Sequence, residues 1–263
     1  MDPNYGIKTE MMTNLPARVL VLDIGGTSVK AAIIDREGQL QAGPSRCPTP
    51  VSAGPVQMLE TIEALVRPLG IFDAISIGFP GAIKQNIILT APNLETALWR
   101  KIDFSVLVAA RFGRPARLIN DATMHGFGII AGQGIEVVLT LGTGMGFALF
   151  RDGIPAPQIE LGRHPAGTVP TYDDFVGDAA LVKVGESVWK ERVGQTILQL
   201  ISLVNFDTLY LGGGNARLFH QDELPADVKL ANNEAGLTGG IWLWRDDIKI
   251  VFNAPDAPSP DAV

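Results

Sequence analysis

Apolar residues come in short runs along this chain, and the runs alternate with stretches of helical spacing. Val19 to Leu22 lead into Asp23, a Gly25-Gly26-Thr27 turn follows, and a second apolar run begins at Ala31. This predicts a strand, a tight turn and a returning strand within about 18–42. The pattern returns at 137–153, where Val137 to Leu141 precede Gly142-Thr143-Gly144-Met145-Gly146 and a second apolar run. Between them, Met58, Ile62, Leu65 and Val66 predict a helix that stops at Pro68 and Gly70. Ala74 to Ile77 read as a buried strand running into Gly78-Phe79-Pro80-Gly81. A short amphipathic helix is expected over 103–112, then a strand ending in Asn120-Asp121 with a helix after it.

After Gly153 the chain is irregular to about Tyr172, a length usual for functional or disordered loops. A long helix over about 185–205 would bury Val193, Ile197, Leu200, Ile201 and Val204. A further strand ends in Gly212-Gly213-Gly214, and a last helix is expected over 235–245 despite its glycines. Alternating strands and helices imply an α/β protein of two related halves, divided near residue 122. The expected organisation is a flexible leader over 1–17, lobes over 18–122 and 123–245, and a flexible tail over 253–263. The last helix is a candidate to pack back on the first lobe.

Composition narrows the function classes. Hydrophobic residues make up 46% of 263 positions, enough for a packed core. The net charge of −7 and the lack of a basic run argue against nucleic acid or an anionic membrane as partner. One cysteine, Cys47, excludes an intramolecular disulfide and a multi-cysteine zinc site, and suits a reducing cytoplasm. The first residues hold no apolar segment of the secretory type, and no apolar stretch approaches a membrane span.

The glycine turns carry the candidate chemistry. Without a Cβ, backbone amides can approach an anion closely, and concavities of amides favour phosphate. Gly25, Gly26 and Thr27 are phosphate-binding candidates, with Asp23 placed to hold Mg²⁺ directly or through water and Lys30 a nearby cation if it turns inward. An ordinary hairpin is an equal reading of those residues alone. Gly142, Thr143, Gly144 and Gly146 form the second candidate phosphate turn, without the spacing of a dinucleotide fingerprint. Gly212, Gly213 and Gly214 read as a turn beneath a nucleotide or as a bare connection. From the pattern alone Asn120-Asp121 reads first as a helix cap, and only second does Asp121 read as a general base. Glu160 is a candidate acceptor of sugar hydroxyls, with Arg163 and His164 close by. His125, His220 and the four tryptophans read as structural or solvated.

In this order the chain carries Asp23-Ile24-Gly25-Gly26-Thr27-x-x-Lys30, Gly-Phe-Pro-Gly, Ala91-Pro92-Asn93-Leu94 with Trp99, Asn120-Asp121, Leu-Gly-Thr-Gly-Met-Gly, Glu160-Leu161-Gly162 and Leu-Gly-Gly-Gly. The set resembles the ROK group of the sugar kinase, Hsp70 and actin superfamily, over about residues 18–245. Within it the chain is most similar to glucokinases of the polyphosphate-glucokinase type. The resemblance implies two ribonuclease-H-like, actin-like ATPase lobes with a central cleft. It implies phosphoryl transfer from ATP or polyphosphate, with Mg²⁺, to the 6-hydroxyl of glucose or a related hexose. Asp121 would be the base, Asn93, Asn120 and Glu160 would hold sugar hydroxyls, and the turns at 25–27, 142–146 and 212–214 would face the donor. A homodimer in the cytoplasm is the assembly it suggests.

Departures from the family pattern matter. The cysteine-rich zinc motif of many members is missing, so no zinc site is expected. Arg163 takes the place of the usual histidine, with His164 after it. The glutamate common in the helix after Asn-Asp would fall near Ile129. The segment 164–185 is short and atypical. A catalytically silent sugar-binding or regulatory protein is therefore the alternative. A repressor of the same family is disfavoured, because only about 17 residues precede the first strand and they are not basic.

Overall fold

The computed structural model of this chain describes residues 15–245 apart from positions 52, 168 and 232–234, together with Ile248. The leader expected over 1–17 falls outside the described residues up to position 14, and the tail over 253–263 falls outside them entirely. The chain divides into two compact units. One runs to Ile119 and resumes at Gly240, and the other is Asn120–Gly239.

The first unit opens with an antiparallel meander of β1 (Arg18–Ile24), β2 (Ser28–Asp35) and β3 (Leu40–Pro48). Helix α1 (Pro55–Val66) follows, with proline in its first turn, where the missing N–H costs nothing. It buries Met58, Ile62 and Val66, one residue per turn on one face. Strand β4 (Ala74–Phe79) is buried throughout and runs parallel to β1. A small hairpin of β5 (Ile83–Lys84) and β6 (Ile87–Ile88) leads to α2 (Thr96–Trp99), α3 (Phe104–Phe112) and β7 (Ala116–Asn120). The sheet order is β3-β2-β1-β4-β7. Trp99 is fully buried between Phe79 and Phe104, and its indole N–H donates to Ala53 O at 3.0 Å, so it serves the core.

The second unit begins with α4 (Asp121–Phe127), then the meander β8 (Ile135–Leu141), β9 (Met145–Arg151) and β10 (Ile154–Pro155). After α5 (Tyr172–Val176), α6 (Asp178–Val184) and α7 (Glu186–Val204) come β11 (Thr208–Gly212) and β12 (Val228–Leu230). The sheet order is β10-β9-β8-β11-β12, with β11 parallel to both neighbours. Each unit thus places an antiparallel three-strand meander beside two later strands. The register matches as well. Asp23 lies opposite Lys30 and Gly78, as Thr140 lies opposite Gly146 and Gly212.

The structure differs from the sequence reading in the last helix and in the irregular segment. Residues 235–245 form one short turn, α8 (Ala235–Thr238), and then a 3-10 turn over Gly239–Trp244. Close packing explains the glycines. A Cβ on Gly239 would stand 2.0 Å from Met124 O, and one on Gly240 2.5 Å from Val21 Cγ2. Ser76 Oγ donates to Gly240 O at 2.7 Å and accepts the Trp244 indole N–H at 2.9 Å. Between Gly153 and Tyr172 the chain is ordered by β10, a 3-10 turn at Leu161–Arg163 and a bridge between Ala166 and Val169.

Candidate active site

The first glycine turn closes on itself. Gly25 N–H donates to Ser28 O at 2.9 Å, so that amide is engaged within the turn, contrary to its expected role on phosphate. Thr49 braces the turn, its hydroxyl donating to Gly25 O at 2.7 Å and its amide to Thr27 O at 3.0 Å. Asn93 packs on Gly26, where a Cβ would lie 2.9 Å from Asn93 Cβ. Asn93 itself is exposed. Lys30 is bound to Asp23, the residue at the strand end beside the turn. Its ammonium donates to Asp23 Oδ2 at 2.8 Å, in a half-exposed ion pair.

Those contacts bear on Mg²⁺. Among the described residues no group of three or more His, Cys, Asp or Glu gathers as a ligand set. Mg²⁺ commonly needs only one or two carboxylates and keeps water and substrate phosphates as its other ligands. Asp23, at the strand end beside the turn, fits that pattern, with Lys30 as a standing counter-charge.

In the second unit, Asn120 is buried and caps α4, its Oδ1 accepting the Thr123 amide at 3.1 Å. Asp121 is the first residue of the helix. Its Oδ1 accepts the Ala122 amide at 2.8 Å and the Asn120 side-chain amide at 3.1 Å. The cap and the candidate base are therefore different residues. Ala122 abuts the second glycine turn, since a Cβ on Gly146 would lie 2.9 Å from Ala122 Cβ. Helix α4 ends at Phe127, so Ile129 stands beyond its last turn.

The second turn is held from several sides. Gly142 N–H donates to Gly144 O at 3.0 Å, and Asp178 N–H, at the start of α6, donates to Gly142 O at 2.9 Å. Met145 N–H donates to Asp173 Oδ1 at 2.8 Å. The amides of Gly142 and Met145 thus serve the turn itself. The third turn lies against the second. Gly213 has φ +85, and a Cβ there would be 2.3 Å from Leu141 O. Asn215 Nδ2 donates to Asp178 Oδ1 at 2.6 Å, which ties the two turns together through α6. A Cβ on Gly142 or Gly214 would meet nothing within 4 Å, so both backbones face open space.

Glu160 is half-buried and accepts a hydrogen bond from Gln158. Burial pushes its carboxyl above the ordinary value of 4.5, and the negative charge of Asp173 adds to that; Gln158 and Arg163 oppose it. His164 is exposed, with its ring Nδ1 3.4 Å from Pro165 O, and is not drawn to Glu160. Arg163 faces Asp173 Oδ2 at 3.6 Å. Asp173 and Asp178 escape the sequence reading. Both lie in the atypical segment, and only Asp173 has a signal, glycine at 144, 162 and 177, where a Cβ would meet it within 3 Å.

The model of the ROK family matches residues 19–157. The polyphosphate glucokinase of Mycobacterium leprae (strain TN) is 26% identical over 251 residues, covering 86% of this chain and 74% of that protein. The crystal structure of the inorganic polyphosphate/ATP-glucomannokinase from Arthrobacter sp. strain KM matches with a TM-score of 0.77 at 26% identity, covering 88% of this chain and 98% of the other. A ROK family glucokinase from Streptomyces griseus, solved with glucose and AMPPNP, matches with a TM-score of 0.67 at 19% identity over 87% of this chain and 98% of the other, which speaks for the fold.

Proposed function

This chain belongs to the ROK family, and from that premise we propose that it is a hexose kinase, moving a phosphoryl group from ATP or polyphosphate to the 6-hydroxyl of glucose or a related hexose. The observation that carries this reading is the division of labour at the start of α4. Asn120 satisfies the helix cap, while Asp121 is held by the Ala122 amide and the Asn120 side chain beside the second glycine turn.

In this reading the Asp121 carboxylate takes the proton of the attacking hydroxyl as the O–P bond forms. Asn93, Asn120 and Glu160 hold other sugar hydroxyls, with His164, close to Glu160 in sequence, as a further sugar contact. The turns at 25–27 and 142–146 cradle donor phosphates through the amides that are not engaged in closing them. The 212–214 turn faces the rest of the donor. Phosphoryl transfer needs mainly positioning and charge neutralisation. Mg²⁺, held by Asp23 directly or through water, would supply neutralisation of the donor phosphates. The single cysteine fits a cytoplasmic place. Among the described residues no helix is long and apolar enough to cross a membrane.

The test is formation of glucose 6-phosphate by purified protein with Mg²⁺, glucose, and ATP or polyphosphate in separate reactions. Product with either donor supports the kinase. Sugar binding with no product from any donor would favour the silent binder, and Arg163 at the usual histidine position would be the first residue to revert.

A further inference from the structure

Asp173 lies where α5 meets the second glycine turn and the Leu161–Arg163 turn. Its Oδ1 accepts the Met145 amide at 2.8 Å, and its Oδ2 faces Arg163 at 3.6 Å. A Cβ on Gly144 would stand 2.6 Å from Oδ1, and one on Gly162 2.7 Å, so glycine at both positions admits the carboxylate. The backbone of α5 presses on the same turn. Gly177 N–H donates to Asp173 O at 2.9 Å, and a Cβ on Gly177 would lie 2.7 Å from Thr143 O. The Asp173 side chain is 22% exposed. Burial raises its pKa, while the Met145 amide and Arg163 pull the other way.

A carboxylate beside a polyanion site repels the ligand unless a cation offsets it. Arg163 is that cation here. We propose that Asp173 is a positioning residue for the phosphoryl donor. Its carboxylate fixes the shape of the Thr143–Gly146 turn by holding the Met145 amide, and Arg163 cancels its charge so that phosphate can approach. The inference rests on the kinase reading for its substrate and on the contacts above for its mechanism.

The test uses the full chain with Asp173→Ala, Asp173→Asn and Arg163→Gln. Donor KM, sugar KM and kcat are measured, together with equilibrium binding of tripolyphosphate in the absence of sugar. Asp173→Ala removes the acceptor of the Met145 amide, and the expected result is a donor KM and a tripolyphosphate Kd each raised about tenfold, with sugar KM within about twofold. Asp173→Asn keeps an oxygen for that amide and removes the charge, so its donor KM and tripolyphosphate Kd should stay at or below the wild-type values. Arg163→Gln is expected to weaken both about threefold at low salt, with the effect fading as salt rises. Unchanged donor KM and tripolyphosphate affinity in folded Asp173→Ala, or sugar and donor KM rising together, would overturn the proposal. If Asp173→Ala does not fold, Arg163→Gln decides, and no change there overturns it equally. A wild-type protein that forms no product would defeat the kinase reading, while the tripolyphosphate comparison would still decide the role of Asp173.

Discussion

Asn120 donates from its side-chain amide to Asp121 Oδ1 at 3.1 Å while its own Oδ1 accepts the Thr123 amide at 3.1 Å. One buried side chain thus finishes a helix and steadies the neighbouring carboxylate. Asn120→Ala should therefore lose on two counts. Loss of the cap costs about 1 kcal/mol of stability, read in a urea titration. A looser Asp121 should lower kcat by about tenfold, because small errors of placement are costly in transfer reactions. A stability loss with unchanged kcat would leave Asn120 as a cap alone.

Gly213 and Gly214 should respond oppositely to alanine. At Gly213 the backbone is left-handed and a Cβ would strike Leu141 O at 2.3 Å. Gly213→Ala is expected to destabilise by about 2–4 kcal/mol through strain and displaced backbone. At Gly214 a Cβ meets nothing within 4 Å, so the same substitution should change stability by less than about 0.5 kcal/mol. Urea midpoints of the two variants decide, and equal losses would contradict the packing described.

Glu160 gives the protein a pH dependence of known sign. Its native pKa is raised by burial above 4.5, so the native state holds this proton more tightly than the unfolded chain. Below the unfolded value both states are protonated and the group has no effect. As pH rises above 4.5 the unfolded chain ionises first and native stability falls, the full loss being reached above the native pKa. Glu160→Gln should therefore match wild type at about pH 4 and gain stability over it by about pH 8. A difference in Tm that is constant across this range would contradict the raised pKa.

Glu136 is nearly fully buried, yet its two oxygens accept the amides of Ala131, Gly132 and Gln133 and the Tyr210 hydroxyl. Glu136→Ala would strand those donors, at a cost of about 3 kcal/mol or more. Its site lies at the opposite end of β8 from the glycine turn, so kcat of the folded fraction should stay within about twofold. A large fall in kcat without a fall in stability would contradict a purely structural role.

Local pattern was enough to read much of this molecule. The hairpins around Asp23 and Thr140 announce themselves by apolar runs broken at glycine, and Asn120-Asp121 by its place at a strand end. The partners of those residues were not legible. Met145 meets Asp173 and Gly142 meets Asp178 across an irregular segment whose course no periodicity describes. The engagement of the Gly25 amide by Ser28, and of Lys30 by Asp23, also depends on turn geometry that spacing alone leaves open. The last segment reads as one helix despite its glycines, whereas Gly239 and Gly240 allow close approach to Met124 and Val21 and the helix gives way there to a 3-10 turn.

The central claim is that Asp121 serves as base in phosphoryl transfer to a hexose. Its most direct test is glucose 6-phosphate formation by wild type and Asp121→Asn, side by side, with Mg²⁺ and each donor. The account predicts product from wild type and a kcat lower by about 10²–10⁴ in the variant, with its Tm and sugar affinity little changed. Near-normal turnover by a folded Asp121→Asn protein would contradict it.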